Sequence, residues 1–211
     1  PGANPGRAAA AAAAAVLDPS SPRSDSSGCL FTWGGCFDWV EPSAGSAKRD
    51  SHRGCLGTGD LDGRRLPTRV RGLLDGDAVT SVAAGWNLTV AVTAGGTVYQ
   101  MGSTGAQGPP DAKPARWEGA LLPSRVDTCG LFVEEVACGL HHVVAVASTP
   151  APTGGPPSDE LRRRRLLVWG RGGMGQLGQD SLKDSPHPQP VPLLDGRRVM
   201  QVSCGGHHCI A

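Results

Sequence analysis

The sequence predicts an all-β protein assembled from repeats, with about three four-stranded antiparallel blades present. Three observations predict this. Trp33-Gly34, Met101-Gly102 and Trp169-Gly170 recur at intervals of 68 residues. Downstream of each comes Pro-x-x-Val (Pro67 to Val70, Pro123 to Val126, Pro188 to Val191), then an apolar run closing on a small residue and a glycine. Those closures are Ala84-Gly85, Cys138-Gly139 and Cys204-Gly205, lying 15, 13 and 14 residues after the valine. Self-similarity at a long, nearly fixed period is the signature of a repeat architecture and outranks any single motif. The third observation is the strand pattern of 79–102, which holds two strands joined by a Gly-Gly hairpin signal.

Residues 1–27 are low in complexity, with eight consecutive alanines from Ala8 to Ala15. Arg7 and the alanines loosely resemble a targeting segment, but a disordered or weakly helical linker is the expectation. The chain starts on proline, so its true start is expected to lie upstream. No stretch approaches the length that spans a bilayer.

The repeats are expected at 28–102, 103–165 and 166–211. The first opens on Leu30-Phe31-Thr32-Trp33-Gly34, and a polar insertion over Cys36 to Arg53 interrupts it. Gly54-Cys55-Leu56-Gly57 then corresponds to Gly175-Gln176-Leu177-Gly178, because Leu56 and Leu177 both stand 14 residues before the next valine of Pro-x-x-Val. Val79 to Ala83 and Leu88 to Thr93 read as strands, Gly95-Gly96 as a two-residue hairpin signal, and Thr97 to Met101 as the returning strand. Four such strands make one propeller blade.

The second repeat has an eroded glycine loop at Ser103 to Gly108 and an insertion at Pro109 to Gly119. Its later strands are Phe132 to Cys138 and His142 to Ala147. Where the first repeat turns on two glycines, the second inserts Ser148 to Arg165, which ends in four arginines. A long loop without structure of its own is either functional or disordered. The third repeat stops at His208-Cys209-Ile210-Ala211 in mid-hairpin, so the chain is expected to be a fragment of a longer one: three blades cannot close a ring, and open sheet edges invite aggregation.

Composition narrows the function classes. Twenty basic and nineteen acidic residues leave no global field toward nucleic acid or membrane. The 31 glycines and 18 prolines suit a turn-rich repeat protein. Seven cysteines, an odd number with no C-x-x-C pair, argue against a disulfide scaffold and a zinc ribbon, and a reducing compartment is expected. Asn87-Leu88-Thr89 matches a glycosylation sequon but falls where a buried strand begins.

Candidate chemistry sits at four places. Gly170, Gly172 and Gly175 spell G-x-G-x-x-G after a strand, yet a dinucleotide fingerprint must open a helix, and Pro186, Pro188, Pro190 and Pro192 follow instead. His141-His142 and His207-His208 look like metal ligands, but His142 and His208 recur four residues after Cys138 and Cys204. That recurrence favours an imidazole hydrogen-bonded within its blade, and no metal is expected. Asp60 and Asp180 are expected to hold turns. Arg162, Arg163, Arg164 and Arg165 form the candidate binding site, either as a plain solvated loop or as a contact for phosphoinositide headgroups, nucleic acid or an acidic partner. No Ser/His/Asp or Cys/His arrangement emerges.

These motifs resemble the regulator of chromosome condensation repeat family. The Trp-Gly pairs, Gly-x-Leu-Gly-x-x-Asp with small departures (Gly54 to Asp60, Gly175 to Asp180), Pro-x-x-Val and Cys-Gly-x-x-His carry the resemblance over about 28–211. It implies a partial seven-bladed β-propeller. It also implies structural repeat positions at Trp33, Gly34, Gly57, Asp60, Gly85, Gly102, Gly139, His142, Trp169, Gly170, Gly178, Asp180, Gly205 and His208. Val98 to Ser103 and Phe132 to Gly139 look like the propeller of plant proteins that join pleckstrin-homology, propeller and FYVE domains. Leu88 departs from the pattern, standing where the family has histidine. The resemblance implies a protein partner, with two functional readings. One is guanine-nucleotide exchange on a Ran- or Rab-type small GTPase. The other is a non-catalytic scaffold whose loops bind a protein, an anionic lipid or chromatin. Neither needs a cofactor, a small-molecule substrate or covalent chemistry of its own, and a cytoplasmic or nuclear location is expected.

Overall fold

The structure is a computed structural model and describes residues 28–35, 54–71, 78–106, 120–150 and 164–211. Among the described residues the regular structure is β-strand, apart from one short 3-10 turn at Pro192–Leu194. No helix among the described residues is long and apolar enough to cross a membrane.

Two complete blades occupy the middle. The first is β3 (Val79–Ala84), β4 (Leu88–Thr93), β5 (Val98–Gly102) and β6 (Ala120–Val126), hydrogen-bonded in that order. The second is β7 (Phe132–Cys138), β8 (His142–Ser148), β9 (Arg165–Gly170) and β10 (Ser185–Pro190). Each is an antiparallel meander. Before them stands a pair, β1 (Phe31–Gly34) with β2 (Arg64–Arg69), and after them another, β11 (Ser203–Cys204) with β12 (Cys209–Ile210). Together they make two whole blades flanked by two halves, the partial propeller that the repeats predict. The sheets run out of phase with the sequence period. The Trp-Gly strand that opens each repeat is the third strand of a blade, because β1 pairs with β2 and not with β3.

The inner strands explain the apolar runs. Every residue of β4 and of β8 is buried. Leu88, Val90 and Val92 of β4 meet Val133, Val136, Val143, Ala145, Leu167 and Trp169 in the seam between the two blades. Ala91, on the opposite face, packs with Leu30, Val70, Tyr99 and Met101 in the seam toward the first pair. Val144, Val146, Leu166 and Val168 fill the seam toward the last pair. A strand covered on both faces is apolar at every position rather than alternating polar and apolar. The outer strands are largely exposed and carry Pro67, Pro123 and Pro188, since an edge strand tolerates a missing donor.

The turn correspondence holds in detail. Gly57 N–H donates to the Gly54 carbonyl, as Gly178 N–H does to that of Gly175, both at 3.0 Å. The G-x-G-x-x-G glycines serve this loop, and no helix follows among residues 171–184. Asn87, Leu88 and Thr89 of the sequon are all buried. One cysteine expectation is corrected: Cys55 is disulfide-bonded, while Cys129, Cys138, Cys204 and Cys209 are free thiols.

Candidate functional site

In each meander the loops after the first and third strands fall at one end of the blade, and the loop after the second strand falls at the other. At the first end, neighbouring blades touch through backbone. Trp86 N–H donates to the Leu140 carbonyl at 3.2 Å, and Leu140 N–H to that of Gly206 at 3.1 Å. Gly85, Gly139 and Gly205 lie along this line. A Cβ on Gly85 would come 2.5 Å from the Gly139 carbonyl oxygen, and one on Gly139 would come 2.7 Å from that of Gly205. Gly85 and Gly139 are therefore required by close approach of the next blade. Beneath each glycine packs the side chain three residues on: Leu88 under Gly85, His142 under Gly139, His208 under Gly205.

His142 departs from the expectation of an imidazole hydrogen-bonded in its own blade. It is 0% exposed and neither ring nitrogen has a hydrogen-bond partner. Its ring lies under Gly139 of its own blade and beside the seam, where Cys204 and Cys209 are cross-strand partners. The two sulfurs are 3.8 Å apart, and the Cys209 thiol donates to the Gln176 carbonyl at 3.2 Å. The imidazole and both sulfurs lie within 4.8 Å of one another. The contact between the thiols holds Cys209 below the usual thiol range and pushes Cys204 above it. Burial, then Arg171 and the neighbouring histidines, lower His141 to about 4, so it is neutral at pH 7. His208, the equivalent of His142, is exposed.

Of the arginine run, Arg162 and Arg163 lie outside the described residues. Arg164 Nη2 pairs with Glu134 Oε2 at 3.0 Å, and its Nη1 donates to the Val199 carbonyl at 3.0 Å. Both charged side chains are 16% exposed, and the Ser148 hydroxyl donates to the other Glu134 oxygen at 2.8 Å. Arg164 thus ties the first strand of its blade to the segment leading into the next, rather than standing in a solvated loop. Arg165 reaches Asp195 at 3.6 Å, with both side chains about half exposed. Arg164→Ala is expected to cost about 2 kcal/mol in urea unfolding, because Glu134 keeps a shielded charge without its partner. A double-mutant cycle with Glu134→Gln checks this, with a coupling of about 1 kcal/mol or more expected.

The remaining repeat positions serve geometry. Gly34, Gly102 and Gly170 have φ of +95°, +77° and +112°. Asp60 accepts from the Asp62 N–H, Thr58 and Arg64, and the Arg64 bond, the largest cause, lowers its carboxyl below the usual range. Asp180 takes a positive φ of 51°. Trp169 is buried and its indole N–H donates to Gln100 Oε1 at 2.9 Å, whereas Trp33 is 38% exposed. Gln100 and Glu134 carry no periodic signal in the sequence. The pairing of Cys204 with Cys209 becomes visible only once their hairpin is drawn.

The end of the blades that carries the glycine line also gathers exposed apolar side chains. Leu61, Trp86, Met174 and Leu182 stand on its loops, and Trp33 on the strand that reaches it. The opposite end holds a shallow cleft of about 330 Å3 that includes Arg125, Asp127, Thr128 and Phe132.

The family model for the regulator of chromosome condensation (RCC1) repeat matches residues 50–92 and 165–211. The ultraviolet-B receptor UVR8 of Arabidopsis thaliana is 30% identical over 161 residues, covering 75% of this chain and 32% of the receptor. The mitochondrial RCC1 domain-containing protein RUG3 of the same plant is 27% identical over 189 residues, covering 87% of this chain and 36% of that protein. This chain thus spans about a third of those relatives. Among solved structures, Prp20p of Saccharomyces cerevisiae, described together with its binding to Gsp1p and histones, aligns with a TM-score of 0.57 at 19% identity. That alignment covers 86% of this chain and 39% of Prp20p. A structure of Kap60 bound to yeast RCC1 (Prp20) aligns with a TM-score of 0.56 at 21% identity, covering 86% and 37%.

Proposed function

The chain belongs to the regulator of chromosome condensation repeat family, and from that premise we propose that it is a protein-docking propeller segment whose docking end is the one carrying the glycine line. The observation that carries this reading is the gathering of Trp33, Leu61, Trp86, Met174 and Leu182, all exposed, at that end. Large apolar and aromatic side chains raised on loops above a rigid sheet are the usual anchors of a protein interface. The backbone bonds linking Trp86, Leu140 and Gly206 hold the Trp86 loop and its two counterparts in a fixed relation, which lowers the ordering cost of binding there.

The finer proposal is that the partner is a small GTPase of the Ran or Rab type and that docking accelerates nucleotide release. Its support is the family and the likeness in fold to Prp20p, described with Gsp1p. The mechanism is differential binding: a docked propeller that favours the nucleotide-free GTPase shifts its population toward that state. The second reading is a scaffold without exchange activity. The arginine run supports it less than the sequence implies, since Arg164 and Arg165 are engaged with Glu134 and Asp195.

Release of fluorescent GDP from a panel of Ran- and Rab-type GTPases by the full-length protein tests the finer proposal. Acceleration of one GTPase by orders of magnitude, lost in Trp86→Ala with Met174→Ala, supports it. Absence of acceleration across the panel leaves the scaffold reading. If the double variant binds a captured protein partner as well as the parent does, the docking end is elsewhere; a loss of at least about 30-fold is expected for anchor residues.

A further inference from the structure

The seam between the second complete blade and the last strand pair brings two repeat positions, His142 and Cys204, together with Cys209, which the repeat pattern does not require. Corresponding positions of the repeats supply the comparison. Where this seam has His142, Cys204 and Cys209, the preceding seam has Leu88, Cys138 and Val143. Leu88 and Val143 are fully buried there, and Cys138 packs against them as one thiol among apolar neighbours. An imidazole and a second thiol therefore stand beside the cysteine shared by both seams, where the preceding seam has two aliphatic side chains.

We propose that an imidazole nitrogen of His142 with the sulfurs of Cys204 and Cys209 forms a binding site for a zinc-type divalent cation that clamps this seam. The geometry fits. Two thiolates on one tetrahedral ion at about 2.3 Å must stand about 3.8 Å from each other. The sulfurs here are 3.8 Å apart, and all three donors lie within 4.8 Å of one another. The second observation is His142 itself, an imidazole 0% exposed with both nitrogens unpartnered. Buried polar atoms are almost always satisfied, so this ring is short of the partner a cation would provide. Charge also balances. The two thiols give up two protons on binding, and the resulting thiolates cancel the charge of the ion, so that no net charge is buried.

Donor chemistry narrows the ion. Two sulfurs and one imidazole suit zinc and other soft cations, whereas magnesium and calcium take oxygen ligands. Three protein ligands leave one position of the tetrahedron for water. The spacing of the sequence hides the site, because His142 lies in one blade and the two cysteines in the strands beyond it. The ligands come together only when the blades pack.

Titration of the full chain with Co2+ alone tests the site, with the thiols kept reduced by a phosphine. One equivalent is expected to give a thiolate-to-cobalt charge-transfer band with the d–d intensity of a tetrahedral ion, and Zn2+ alone is expected to bleach it. Cys209→Val installs the residue that the preceding seam carries at that position, and is expected to remove the band and weaken Zn2+ by more than about 100-fold. His142→Leu, the residue of the preceding seam at the other position, is expected to do the same. Cys129→Ser, at an exposed thiol, is expected to leave the band intact. No stoichiometric band in the parent protein, or a band unchanged in both Cys209→Val and His142→Leu, overturns the proposal.

Discussion

Replacing Trp169 by alanine is expected to lower the unfolding free energy by about 4 kcal/mol, the largest effect of any single side chain here. Trp169 is 2% exposed and stands in the seam between the two complete blades, packed with Leu88, Val143 and Leu167. Truncation removes the transfer energy of an indole and opens a cavity that two rigid sheets can close only in part. Its N–H also reaches Gln100 Oε1 in the neighbouring blade at 2.9 Å, a bond spanning 69 residues of sequence. Trp169→Phe separates the two contributions. It keeps most of the apolar contact, leaves Gln100 without its donor, and is expected to cost about 1–2 kcal/mol beyond the lost area. The urea midpoint should fall in both variants with the slope unchanged. A Trp169→Ala protein within 1 kcal/mol of the parent would mean that the seam is not packed as described.

Gly170→Ala is expected to cost about 3 kcal/mol or more, although it adds one methyl group. Its φ is +112°, which L residues rarely adopt. A Cβ there would also overlap the His141 carbonyl oxygen and stand 2.7 Å from His142 Cα, both backbone atoms that cannot swing aside. That same carbonyl accepts the Arg171 N–H at 2.9 Å, so displacing it breaks a second contact. Gly173→Ala, three residues on, is the matched control. Nothing lies within 4 Å of its Cβ, and a change within about 0.5 kcal/mol is expected. Thermal or urea unfolding of the pair checks the contrast. Equal effects would show that the glycines of this loop are there for chain flexibility alone.

The repeats were legible because they recur as short patterns whose causes are local. The hairpin predicted at Gly95-Gly96 forms, but its turn is centred one residue earlier, on Ala94 and Gly95, with the Gly96 N–H on the Thr93 carbonyl, and of the two glycines only Gly96 takes a positive φ, +74°. The glycine turns at Gly54–Gly57 and Gly175–Gly178 share one hydrogen bond, as their matching distances to the following valine predict. Rejecting the G-x-G-x-x-G fingerprint needed only the prolines downstream. Less visible were the contacts made once and not repeated. Gln100 meeting Trp169, and Glu134 meeting Arg164, leave no period. They join residues 69 and 30 positions apart through the way neighbouring sheets lie against each other. The exposed apolar end was equally hidden, because Leu61, Trp86, Met174 and Leu182 come from three separate loops with no pattern in common.

The chain by itself therefore determined the strand content, the turns, the number of repeat units and the family they belong to. Each of these rests on residues within a few positions of one another, repeated often enough to be read. Tertiary structure alone decided the phase of the blades, because hydrogen bonding and not the recurrence of Trp-Gly chooses which four strands share a sheet. It decided that Arg164 is a tie and not a free cation, because Glu134 approaches it from another strand. And it decided what surrounds His142. Its position in the repeat is shared with Leu88 and His208, but packing against Cys204 and Cys209 is a property of the seam, which no stretch of sequence contains.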